Sequence, residues 1–168
     1  AYQPLTTKAE APNYEKRGAL EIYRVRWFGY NLFHKLEPYF FATFLYLFPG
    51  LFFRCFFFYL KNHSEIDVIH VHGLTGALIG KILKKIHSKR AVINTHAVYN
   101  FEKRRLLSAL VKFILHDYDK ILAVGEMSRK ELAVLGIPLD KIEIHPNWID
   151  LSRFRQVDKK DAKKRVGL

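Results

Sequence analysis

From residue 67 onward, short apolar runs alternate with amphipathic stretches. Val68, Ile69 and Val71 predict a buried strand that ends in a turn carrying His72 and Gly73. Leu74 to Ile86, with small residues at Gly76, Ala77 and Gly80, predict the helix that follows. Arg90 to Thr95 and Lys120 to Val124 read as two more strands, each leading through a polar turn into a helical stretch. The first of those helices is predicted over Phe101 to Tyr118, with Leu106, Leu110, Phe113 and Ile114 on one side. The second spans Glu126 to Leu135, and Gly136 with Pro138 stops it. A fourth strand is expected at Lys141 to Ile144, and Asp158 to Leu168 reads as a charged, helical or frayed end. Strands alternating with helices at this spacing predict an α/β fold, a parallel sheet with flanking helices. Ligands of such sheets bind at the carboxyl ends of the strands, so His72, His96 and Gly125 to Ser128 are expected on one rim.

Before residue 67 the pattern differs. Residues 1–19, with two prolines and mixed charge, read as a loop, and Leu20 to Trp27 alternates well enough for a strand. Tyr39 to Tyr59 holds 12 of the chain's 25 aromatic residues, which predicts either a very apolar burial site or a specialised surface. Only 16 consecutive residues, Pro38 to Phe53, lack charge, and Pro49-Gly50 interrupts them. A spanning helix needs roughly 20 apolar residues, so two short helices are expected here instead of a transmembrane segment. Burial against the sheet or a neighbouring subunit competes with a membrane-surface contact, for which the flanking Arg24, Arg26, Lys35, Arg54 and Lys61 are suited.

Charge narrows the partners. A length of 168 residues and 49% hydrophobic content fit one domain with a real core, but a net charge of +12 points to an anionic partner: nucleic acid, an acidic membrane or a phosphorylated ligand. Nucleic acid fits less well, because the aromatics are not interleaved with the basic runs as stacking platforms would be. The basic run Lys81, Lys84, Lys85, Lys89 and Arg90 is expected to be a solvated helix face. The single cysteine, Cys55, excludes an intramolecular disulfide and fits a reducing compartment; the polar first residues do not read as a signal peptide. His70 and His72 project to one face of a strand, but a zinc site needs further ligands and none lies nearby in sequence. No Ser-His-Asp order, paired carboxylates or G-x-G-x-x-G fingerprint is present. His96, at the end of an apolar strand, is placed where an imidazole can reach a substrate.

Taken in order, DVIHVHG at 67–73, VINTHAVY at 92–99 and ILAVGEMSRKELAVLGIPLDKIEIHPNWIDLSRF at 121–154 resemble the amino-terminal half of the family-4 retaining glycosyltransferases of the GT-B fold. The likeness runs from about Leu20 to Leu168 and rests on the order and spacing of four individually weak motifs. It implies a Rossmann-like domain over 1–154, without the family's first strand, glycine-rich loop and first helix. Residues 155–168 would then lead toward a second, nucleotide-sugar-binding domain. It further implies sugar transfer from a nucleotide-sugar to an acceptor with retention at the anomeric carbon, no metal and no cofactor. His96 takes the place of the family histidine that reaches the donor sugar, with Thr95 as a polar contact beside it. His72 and Gly73 border the acceptor side, and Asn147 and Asp150 belong to the turn that leads into the crossover. Gly125 stands where the family commonly has serine, and Trp148 where it has glycine. A cleft made by two domains cannot work with one, so these residues alone are expected to have negligible transferase activity. The aromatic segment beside basic groups adds the expectation of a lipid-linked acceptor at an anionic membrane and a cytoplasmic, peripheral location. The alternatives are a basic nucleic-acid-binding module and a subunit that dimerises through the aromatic block.

Overall fold

The computed structural model describes residues 2–3, 12–26, 33–36, 38–96, 105–147 and 158–165. In the amino-terminal part β1 (Tyr2–Gln3) is followed by β2 (Tyr14–Arg17), β3 (Leu20–Tyr23) and β4 (Val25–Arg26). The strand expected at Leu20 to Trp27 is thus two strands, divided at Arg24, with Trp27 outside the described residues. Part of the expected loop at 1–19 is also structured: β2 and β3 form an antiparallel hairpin in which Tyr14 opposes Tyr23 and Arg17 opposes Leu20. Gly18, at φ +60°, makes that tight turn, a conformation open to glycine at little steric cost. β1 pairs in parallel with β4.

The short α1 (Phe33–Leu36) precedes α2 (Phe40–Asn62), a single helix of 23 residues. This corrects the expectation of two short helices. Pro49 lies inside α2, and the rings of Phe44, Phe48, Phe52 and Phe56 stack in series at 4.9, 5.4 and 5.5 Å past it. Packing along one side therefore outweighs the missing amide hydrogen, and the rod runs for about 34 Å at 1.5 Å per residue. By length and composition α2 is apolar enough to cross a membrane. One side, through Phe48, Leu51, Phe52 and Tyr59, packs on Ile79 and Leu83 of α3 (Gly73–His87).

The main sheet contains β5 (Val68–His72), β6 (Arg90–Thr95), β7 (Lys120–Ala123) and β8 (Ile142–Ile144), all parallel and in chain order. Between them run α3, α4 (Arg105–Leu115) and α5 (Glu126–Val134). Val71, Ile93, Ile121 and Ile142 are register partners across the four strands, and this row faces the core shared with Leu74, Val111, Leu115 and Leu132. Strand alternation sends the neighbouring row, His72, Asn94, Leu122 and Glu143, to the opposite face. The α/β expectation is met, with the strand ends within a residue or two; the helix expected at Phe101 to Tyr118 stops at Leu115, and its expected start lies outside the described residues. The charged end contains α6 (Lys159–Arg165).

The basic run is not the solvated face its composition suggests. Lys81 is buried: its ammonium lies 3.2 Å from the Phe113 ring centroid and 3.2 Å from the Asp117 carboxylate. Lys85 meets the same carboxylate at 2.8 Å and Lys84 meets Asp119 at 2.8 Å. Lys85, with Lys81 behind it, holds the Asp117 carboxyl down at about 2. Three of the five cations thus tie α3 to the turn between α4 and β7, while Lys85 and Arg90 stay exposed.

Candidate functional site

His72 is the last residue of β5, and Gly73 at φ +73° turns the chain directly into α3. His96 follows the last residue of β6, one strand over. Adjacent parallel strands therefore end with an imidazole each, and the two rings meet: Nδ1 of His72 is 3.1 Å from Nε2 of His96, with the rings stacked at 5.2 Å and 11°. His70, two residues back on the same face, has its ring 4.5 Å from that of His72 and shares a 2.8 Å hydrogen bond with Asn94 Oδ1. The expected common rim for His72 and His96 is present.

Partial desolvation, then the nearby His70 and His96, push the His72 imidazole below its ordinary value. In the pair one ring nitrogen donates and the other accepts, so each imidazole fixes which nitrogen of its neighbour carries the proton. Both rings are exposed, and the pair presents an N–H to a bound oxygen. Among the described residues no group of three or more His, Cys, Asp or Glu side chains is arranged to hold a metal ion.

Thr95 sits differently from the expectation of a polar contact to substrate. It is 1% exposed, with its hydroxyl 3.2 Å from Ser128 Oγ and 3.3 Å from the carbonyl of Leu122. Alternation turns it to the core side of β6, where it ties the end of that strand to α5. Gly125, directly before α5, is extended at φ 176°, and a Cβ there would meet nothing within 4 Å. A serine would fit at this position without backbone adjustment. Asn147 is exposed at the end of the segment after β8, while Asp150 and Trp148 lie outside the described residues. Asn94 was not anticipated. The one signal was an amide inside the apolar run RAVINT, and a buried amide at 7% exposure needs a partner, which His70 supplies.

Comparison with known proteins adds three findings. The family model Glycosyltransferase Family 4 matches residues 11–153. Among solved structures, Anabaena HepE in complex with UDP and glucose is similar at a TM-score of 0.59 and 13% identity, over 87% of this chain and 37% of that one. HepE in complex with UDP-glucose aligns at a TM-score of 0.55 and 13% identity, over 64% of this chain and 31% of that one. At that identity the likeness shows a shared fold, and this chain spans about a third of the length of those it matches. No curated protein matches the sequence. The family match covers both histidines of the rim and all four strands of the main sheet, and on that ground the chain belongs to Glycosyltransferase Family 4.

Proposed function

We propose that this chain is the acceptor-side half of a retaining glycosyltransferase that moves a sugar from a nucleotide-sugar to a lipid-linked acceptor at a cytoplasmic membrane face. The observation that carries the reading is the hydrogen-bonded His72 and His96 pair at the ends of two parallel strands, in a chain of this family. The nucleotide-sugar donor is supported by a structural neighbour that binds UDP-glucose. In this reading residues 1–154 belong to the acceptor-side domain, Asn147 and Asp150 lead into the crossover, and 155–168 continue toward a donor-binding domain.

In this mechanism His96 reaches the donor sugar, orients it and stabilises developing charge; it is not a nucleophile. The nucleoside diphosphate leaves from the face on which the acceptor hydroxyl enters, so configuration is retained. His72 and Gly73 border the acceptor, and the His72 hydrogen bond orients the His96 ring. The membrane reading is supported by the exposed apolar side of α2, where Phe41, Leu45, Phe53 and Phe57 are each more than half exposed.

The test is release of nucleoside diphosphate by the complete enzyme across a panel of nucleotide-sugars, beginning with UDP-glucose. His96→Ala lowers turnover by about 10²–10⁴-fold, the range for loss of a positioned acid–base group, with little change in thermal stability. An unchanged rate would reduce His96 to a structural residue.

A further inference from the structure

The exposed side of α2 has an order of its own. Phe41, Leu45, Pro49, Phe53, Phe57 and Lys61 recur at every fourth residue, and all are exposed. That spacing follows one ridge of a helix, so the apolar part extends for about 24 Å at 1.5 Å per residue before it reaches a cation. Beside the cationic end, the β2–β3 hairpin leans against α2 and encloses a recess of about 600 Å³. Tyr14, Tyr23 and Phe58 form its aromatic wall, with ring centroids 5.0 and 4.9 Å apart in sequence, and Phe57 belongs to both recess and ridge. Arg54 and Lys61, two turns apart on α2, also line it.

The cations in the recess are not equivalent. Arg24 is already paired with the Glu15 carboxylate, which Arg17 shares, and also donates to the carbonyl of Pro12 at 2.8 Å. Arg54 and Lys61 have no ion-pair partner among the described residues. Lys61 lies in the last turn of α2, where the helix dipole itself repels an anion, so any affinity for one rests on the two side chains. A recess with an aromatic wall, two unpaired cations and a continuous apolar ridge running from its mouth has the polarity of an amphiphile's headgroup and chain. It is also remote from the histidines: only five residues separate α2 from the start of β5, whereas His72 is at that strand's other end.

We propose that this recess holds the phosphate-bearing headgroup of an anionic membrane lipid while the α2 ridge lies in the adjoining acyl region. The site is separate from the acceptor position at the histidine rim. This rests on the membrane reading above and adds to it a defined lipid class and location. A free anion is a poorer occupant, because it would use the two exposed cations and leave the ridge in water.

Flotation of the full chain with vesicles tests the idea. Wild type partitions more strongly into vesicles containing phosphatidylglycerol than into pure phosphatidylcholine. Each cation contributes about fivefold near an anionic surface, so Arg54→Gln with Lys61→Gln reduces binding to anionic vesicles by about 25-fold and leaves the neutral-vesicle level unchanged. The matched pair Lys130→Gln with Lys160→Gln, remote in sequence and exposed, changes binding by less than about twofold, since charges outside the contact are screened within a Debye length. Leu45→Ser with Phe53→Ser lowers binding to both vesicle types. Equal losses from the two charge-removing pairs, or displacement by inorganic phosphate beyond that caused by chloride at equal ionic strength, would overturn the headgroup site. Absence of wild-type flotation on either vesicle would instead remove the membrane reading itself.

Discussion

Gly80 in α3 offers the sharpest check on how the core holds the histidine rim. A Cβ built at this position comes closer than 3.0 Å to both the Tyr118 hydroxyl and Val71 Cγ2, and 3.3 Å from Tyr118 Cζ. Neither neighbour can yield cheaply. Tyr118 is fully buried and donates a 2.6 Å hydrogen bond to the carbonyl of Ala77, while Val71 lies in β5 between His70 and His72. Gly80→Ala gains about 1 kcal/mol of helix propensity. Against this stand about 1–3 kcal/mol of overpacking and about 1 kcal/mol for the Tyr118 hydrogen bond. The net is a loss of about 2 kcal/mol, or about 4–8 °C in Tm for a chain of this size. Gly76→Ala is the comparator: its Cβ would be 3.1 Å from Val71 Cγ1 alone, a strain the propensity gain offsets, so its Tm stays near wild type. Thermal unfolding followed by circular dichroism separates the two. A Gly80→Ala chain as stable as wild type would refute the close packing of α3 on β5 and Tyr118.

The remaining predictions concern polar groups. Asp117 has a lowered folded-state pKa, so its contribution to stability is present above about pH 3.8 and lost as pH falls toward about 2. Asp117→Asn therefore costs about 1 kcal/mol at pH 7 after solvent screening and flattens the acid limb, as urea titrations between pH 7 and 2 would show. The pKa of His72 is also lowered, and the sign is the same: the unfolded chain takes up the proton first, so stability falls as pH drops below 6.5. His72→Asn removes part of that slope, read as a smaller shift of the urea midpoint between pH 8 and 5.5. Thr95→Val keeps the shape but leaves Ser128 without its Thr95 partner, for a loss of about 1–2 kcal/mol in chemical denaturation.

Much of the main sheet was legible because its strands are short apolar runs bounded by Gly, Pro and polar turns. The histidine rim followed from position alone, since parallel strands place their carboxyl ends together. Local reading failed where distant contacts decide the outcome. Pro49 is a helix breaker in isolation, yet the Phe44 to Phe56 stack carries α2 past it. Lys81 reads as solvated until Asp117 and the Phe113 ring, more than 30 residues away, surround its ammonium. Thr95 differs from His96 by a single step of strand alternation, enough to turn one side chain inward while the other remains at the rim.

The strand order of the main sheet has a kinetic corollary. Each strand docks on the one made just before it, with partners such as Val68 and Arg90, Val92 and Lys120, or Ile121 and Ile142. No strand must wait for a distant segment, so the layer can grow by nearest-neighbour addition as the polypeptide leaves the ribosome. Nascent chains arrested after α4 should already protect the β5 and β6 amides from hydrogen exchange, well before β8 has been synthesised.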